Sequence, residues 1–456
     1  MVGAEPPGGS VLARKRAWLL GQHAMDLPDE DLPRAFLIDH AAGVGEPFDP
    51  GLVRAMIAAR ANTLLAGRSG CRPVVVEALL AMLDLPELPA VPSQGSVGAA
   101  GDLAPMAHIA RVLCQIDGPV PGLPPFSPSP KEALALINGV SVTAALAAVA
   151  VRRAERVADA AVCALAMTLE ALGADAGLLD PRPLVARGHV GGVQVGARLQ
   201  ALLAGSRQVR AGRPPDAFSL RCAPQVLGAA LDALGHVRGV VEAELGGVSD
   251  NPLVFEGPDG DDWVESGNFH GAALGLAMDH LKIALAHIAT ASERRTFRLT
   301  CGELTGGLPS FLVPGTGLNS GFMIAQYTAA SLASEVKGLA HPASVDSIPT
   351  VQHHEDHVSM GPIAARMALE ALECVADIVA IEALLAAQAL DLRLAGHGPD
   401  GVGAPVPIAP EVLRLRAAVR AVVPAWWDDG VMHPCLKAAG ALVRAGGLGD
   451  ADPTPW

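Results

Sequence analysis

Apolar residues recur at helical spacing along most of this chain, and glycine or proline interrupts them at intervals. The pattern predicts helices at 12–20, at 32–42 (stopped by Gly43-Val44-Gly45), at 49–65 (opened by Asp49-Pro50) and at 72–83 (opened by Arg72-Pro73). A glycine-rich loop at 91–105 follows, then a further helix that starts near Asp102 or Pro105. Residues 131–178 read as long packed helices with a break after Asn138-Gly139. Later helices are expected at 224–245, 269–299, 319–339 and 353–395, with shorter ones near 410–422 and 435–445. Only 257–262 looks like a hairpin turn, between Leu253-Val254-Phe255 and Trp263-Val264. The predicted fold is mostly α, built around a bundle of long helices. It divides into a short N-terminal segment (1–35), a main helical domain (36–395) and a C-terminal helical extension (396–456).

Composition narrows this picture. Half of the 456 residues are hydrophobic and only 18 % are charged, so helices should be buried deeply and faces shared between subunits. No apolar run is expected to span a bilayer, since the one from Val140 is broken at Arg152-Arg153. A net charge of -14 argues against nucleic acid as a partner. The seven cysteines are scattered singly, and the Pro/Gly-rich start shows no signal peptide, so reduced thiols in the cytoplasm are expected.

The loop carries the chemistry. Gly95-Ser96-Val97-Gly98-Ala99-Ala100-Gly101-Asp102-Leu103-Ala104-Pro105 resembles the active-site loop of the histidine and aromatic amino acid ammonia-lyases. The likeness runs from about Leu37 to Arg393. It includes Asp39-His40-Ala41-Ala42-Gly43, Asn138-Gly139, Phe218-Ser219-Leu220-Arg221-Cys222, Val248 to Leu253, Ser266-Gly267-Asn268-Phe269-His270, Asn319 to Gln326 and Glu355 to Met360. The text is nearest to histidine ammonia-lyase. The resemblance implies a helical homotetramer of the ammonia-lyase and fumarase type, with sites assembled from several subunits. It also implies a methylidene-imidazolone made from an Ala-Ser-Gly triplet. The glycine nitrogen attacks the alanine carbonyl, and loss of the serine hydroxyl as water leaves an electrophilic methylene. Here the triplet is Ala99-Ala100-Gly101, and a methyl group has no leaving hydroxyl. No such cofactor is therefore expected.

The same resemblance assigns the remaining candidates. Asn138 would support the loop and substrate, and Arg221 would grip a carboxylate with its guanidinium fork. Glu355 would lie near the substrate side chain and handle a proton, with His40 as a second acid/base candidate. Phe322 and Phe218 would line the pocket. Each has a structural alternative: a turn at Asn138, an ion pair at Arg221, a helix-start partner at Glu355, a satisfied histidine at His40 and core at Phe322. His353, His354, Glu355, Asp356 and His357 complete no zinc pair on a helix, so no metal is assigned.

Several family features are absent. The mobile catalytic-tyrosine loop has no counterpart near Gly9-Ser10, and the one tyrosine, Tyr327, falls inside a helix. The second family tyrosine is Phe218, and a glutamine often found three positions earlier is Pro215. These departures point to an enzyme that works without the prosthetic ring, doing acid/base chemistry on a small anionic or amino-acid-like ligand. Two alternatives stand beside it: a catalytically silent subunit pairing with an intact lyase paralogue, and a residual histidine or aromatic amino acid ammonia-lyase.

Overall fold

A computed structural model describes residues 32–212, 216–258, 260–398, 401–402 and 406–449. The expected helix at 12–20, most of the N-terminal segment 1–35, the region around Gly9-Ser10 and Pro215 lie outside the described residues.

The architecture is mostly α-helical, and local chemistry explains most helix starts. Pro50–Leu65 opens with the Asp49 carboxylate accepting from Gly51 N at 2.7 Å. Pro130–Ile137 opens with a capping box in which Ser129 and Glu132 bond each other's backbone. The predicted break after Asn138-Gly139 separates that helix from Ser141–Leu172. Three two-stranded antiparallel ribbons are present among the described residues. Leu253–Gly257 pairs with Gly260–Val264, as the hairpin turn read at 257–262 predicts. Val44–Pro47 pairs with Pro92–Gln94, and His397–Gly398 with Gly401–Val402. Ribbons this short hold too few residues to display a period of two.

Two expectations need correction, and one unassigned stretch gains an element. The helix expected from 353 begins instead at Gly361 and runs to Leu394. Pro362 lacks an N–H and disfavours helix in the residue before it, while Val351, His353 and Met360 take positive φ angles of 51°, 69° and 51°. Residues 181–202, to which no element was assigned, form the helices Pro181–Arg187 and Val190–Leu202. The second carries glycines because it packs closely on another helix: a Cβ at Gly191 would stand 2.2 Å from the Gly228 carbonyl oxygen. Finally, Ala272–Thr300 is long and apolar enough to cross a membrane by length and composition, although 61 % of its apolar window is buried inside the protein.

The chain divides into two units whose boundaries fall largely within the long helices. Unit 1 holds the described residues up to 149, together with 238–279 and 342–366. Its core contains Leu37, Met56, Ile57, Leu79, Met82, Met106 and Ile109, all fully buried. Unit 2 holds 150–237, 280–341 and the described residues from 367 onward. There Ala160 to Leu169 and Ala371 to Leu392 supply an alanine- and leucine-rich interior. At its centre the Glu382 carboxylate takes a bidentate bond from Arg295 at 2.6 and 2.7 Å. Thr168 and Ser292 donate to the same carboxylate at 2.9 and 2.6 Å.

Candidate active site

The site is built in unit 1 from three walls around a cavity of about 730 Å³. The first wall is the glycine-rich loop between Pro92–Gln94 and the helix Leu103–Leu113. It lies directly against the break between helices at 138–140. Gly139 N donates to the Ala100 carbonyl at 3.2 Å, and Asp102 N donates to the Gly139 carbonyl at 2.7 Å. Two backbones approach this closely only without side chains. Gly101 has φ +95°, and a Cβ on it would stand 2.1 Å from the Gly139 oxygen.

Asp102 locks this junction. Its buried carboxylate accepts from Thr143 N at 2.7 Å, from Thr143 Oγ1 at 3.0 Å and from Ser96 Oγ at 3.2 Å. Burial pushes its pKa up to about 6, against the opposing pull of those bonds. Ala99 and Ala100 line the cavity from this wall.

The second wall runs from Leu134 and Asn138 to 249–251 and 265–270. Beneath it, buried Asp250 accepts from Lys131 at 3.1 Å and pairs with Arg60 at 3.6 Å. Arg60 also donates to the Ala135 and Ser249 carbonyls at 2.6 and 3.0 Å. Asn251 Oδ1 accepts from Ser266 N at 2.6 Å, which positions Glu265, Ser266, Phe269 and His270 on the cavity. Asn138 is 2 % exposed, yet its Oδ1 has no hydrogen-bond partner among the described residues.

The third wall is 351–357. Glu355 pairs with Thr350 through the backbone, and its Oε2 accepts from Thr350 Oγ1 at 2.8 Å. The His270 and His357 rings lie 5.8 Å apart, and His270 Nε2 is 3.2 Å from the His357 carbonyl. Two bonds tie this wall to the first: Met360 N donates to the Val97 carbonyl at 2.9 Å, and Ser359 Oγ to that of Gly98 at 2.9 Å.

Of the residues singled out from the sequence, the cavity gathers Ala99, Ala100, Asn138 and Glu355, with Gly101 holding the loop behind them. His40 does not line it; its Nδ1 bonds the Phe36 carbonyl at 2.8 Å and its ring packs on Phe36. Phe218, Arg221 and Phe322 belong to unit 2. Phe218 is 75 % exposed, whereas Phe322 is 1 % exposed and packs on Trp426. Arg221 is exposed at the rim of a smaller cavity with Asp175, Asp180 and Asp216.

Sequence reasoning missed Glu265, His270, His354, Asp356 and His357 as lining residues. The motifs Ser266 to His270 and Glu355 to Met360 were the available signal. No group of three metal-binding side chains converges among the described residues. The described lining contains three acids and three histidines but no lysine or arginine, which favours a ligand with a cationic group.

A glycine-rich loop of this construction lining a cavity, in a chain of long helices, agrees with the ammonia-lyase resemblance. The aromatic amino acid lyase family matches residues 24–421, and the chain belongs to it. It is 45 % identical to the histidine ammonia-lyase of Anaeromyxobacter sp. (strain K), over 92 % of this chain and 85 % of that one. It is likewise 45 % identical to that of Gloeobacter violaceus, over 92 % and 83 %. The crystal structure of histidine ammonia-lyase from Trypanosoma cruzi superposes with a TM-score of 0.82 at 38 % identity, covering 92 % of this chain and 81 % of that one.

These findings overturn the expectation of a repurposed enzyme acting on a small anionic substrate. Identity at this level across nearly the whole chain favours the residual ammonia-lyase instead. That expectation gave Ala100, Phe218, Pro215 and the missing tyrosine-loop pattern more weight than the many positions that still match.

Proposed function

We propose that this chain is a histidine ammonia-lyase-type enzyme, residual in rate, whose cavity receives histidine or a closely related aromatic α-amino acid. The observation that carries this reading is the cavity that joins the loop at 99–101, Asn138 and Glu355 in a chain 45 % identical to histidine ammonia-lyases. Ammonia elimination is redox-neutral: a Cβ–H bond and the Cα–N bond break, a carbon–carbon double bond forms, and the proton goes to a base. Glu355, anchored through one oxygen by Thr350, is suited to hold the imidazole or take that proton. Asn138 brings a side-chain amide to the cavity lining, where it can hydrogen-bond a polar group of the substrate.

The family resemblance implies a prosthetic ring, which when present activates the amine as a leaving group. The residues here do not fit it, because the Ala100 methyl cannot leave as the serine hydroxyl does. The proposed elimination runs without it, and this sets its low rate.

The reading extends to a homotetramer in the cytoplasm. The exposure of Phe218 and Arg221 supports it, since side chains that act on a neighbouring copy must face outward. An intact lyase paralogue is the alternative partner, and light scattering of the chain alone separates the two. The test of function is incubation with L-histidine. Dose-dependent thermal stabilisation is expected, together with slow growth of the near-ultraviolet absorbance of a conjugated imidazole acrylate. Glu355→Gln should reduce turnover more than binding. The absence of both stabilisation and absorbance rejects the reading.

A further inference from the structure

The wall that carries Glu355 is bent in a way its own residues disfavour. Residues 351–353 form a single turn of 3-10 helix, and the chain closes on itself where Thr350 and Glu355 pair their backbones. Thr350 N donates to the Glu355 carbonyl at 3.0 Å, Glu355 N to that of Thr350 at 3.4 Å, and His354 N to that of Val351 at 3.0 Å. Within this loop Val351 and His353 hold φ angles of 51° and 69°, a region that a β-branched residue in particular avoids. Backbone in such a region persists only where surrounding contacts fix it.

Those contacts meet at His357. Its carbonyl lies 3.2 Å from His270 Nε2, and a carbonyl only accepts, so that nitrogen carries the hydrogen. Its ring Nδ1 lies 3.2 Å from Ser347 Oγ, which also accepts from Val358 N at 3.0 Å. One hydroxyl therefore ties the His357 ring and the next backbone amide to the segment that precedes the loop. On the other side, His270 comes just before the helix Ala272–Thr300. A Cβ at Gly271 would stand 3.0 Å from Ser359 Oγ, so the chain leading into that helix lies directly against the same segment. His270 lines the cavity, whereas Ser347 is not among its lining residues.

We propose that His270 and Ser347 are positioning residues for Glu355. Both act through His357 to keep the 350–357 loop closed and the Glu355 carboxylate on the cavity. Thr350 Oγ1 then orients one carboxylate oxygen within a loop that is already held. The inference rests on the reading of Glu355 as the group that meets the substrate, but the clamp itself is measured without turnover.

Hydrogen exchange of the full chain, resolved to single amides across 348–360, compares the native protein with His270→Phe, His270→Gln and Ser347→Ala. Melting curves and L-histidine kinetics are taken from the same preparations. Phenylalanine keeps a ring without the donor, and glutamine keeps a donor N–H without the ring. The informative amides are Thr350, His354 and Glu355, because none of these variants removes their own acceptors. Their exchange is expected to rise on the order of tenfold in His270→Phe and Ser347→Ala and to stay near native in His270→Gln, with the rest of the chain protected as before. The kcat for L-histidine should fall with that protection while KM changes little. Unchanged exchange at the three amides overturns the proposal. So does a rise throughout the chain, which would make both residues general stabilisers, and so does local loosening with full kcat. Behaviour of His270→Gln like that of His270→Phe overturns it too, since the donor would then be irrelevant. If the native chain does not turn over histidine, the lyase reading fails, and exchange at the three amides still decides whether the clamp exists.

Discussion

In unit 2, Glu382 is fully buried and accepts four hydrogen bonds, from Thr168, Ser292 and the two guanidinium nitrogens of Arg295. In unit 1, Asn138 is almost as deeply buried and lines a cavity, yet its Oδ1 accepts none among the described residues. The chemistry of burial is the same, but the two solutions are opposite. A carboxylate removed from water must have its lone pairs filled, and once filled it holds helices together. An amide oxygen buried without a donor instead carries an uncompensated desolvation cost. Asp102 stands between these cases, because its filled lone pairs hold the loop that presents Ala99 and Ala100 to the same cavity.

The largest effect should come from breaking the closed arrangement. Glu382→Ala leaves Arg295 buried without its partner and should cost about 3–5 kcal/mol in chemical denaturation. Replacing both residues with apolar ones of similar volume should recover much of that loss. A small cost for the single variant would remove the contrast with Asn138.

Asp102 comes next, through pH. Its folded pKa is raised, so between about 4 and about 6 the folded protein binds more protons than the unfolded chain. Its contribution to stability is therefore lost as pH rises through that window, up to about 3 kcal/mol above it. Asp102→Asn should flatten that part of the stability profile relative to the native chain. An identical slope in both would show that the carboxylate does not titrate there.

Asn138→Ala sharpens the comparison from the other side. Removing an oxygen that bonds nothing should change stability by less than about 1 kcal/mol, while thermal stabilisation by L-histidine falls. A large loss of stability would make Asn138 a structural residue after all. The smallest effect is expected at Arg221→Ala, within about 0.5 kcal/mol for an exposed side chain. Any loss of histidine binding in that variant should track the oligomer and vanish in the monomer.

The helices and their breaks were legible because their causes are local. Asp49-Pro50, Arg72-Pro73 and Asn138-Gly139 each act within a turn of their own position. Pro362 was equally local but was passed over, which hid the irregular wall at 351–360 behind an expected helix. Glu355 was found through its motif. His270 and His357 were not, because residues so far apart in the chain reach one cavity only through the fold.

Sequence alone determined the helical class, the family and the absence of a leaving hydroxyl at position 100. These depend on periodicity, on residue order and on the atoms a side chain carries. Tertiary structure decided which residues share the cavity. It placed His40 on Phe36 and Phe322 in the core, and it left Asn138 Oδ1 without a partner among the described residues. Whether a buried polar atom is satisfied depends on what distant segments bring to it, and no local pattern of residues records that.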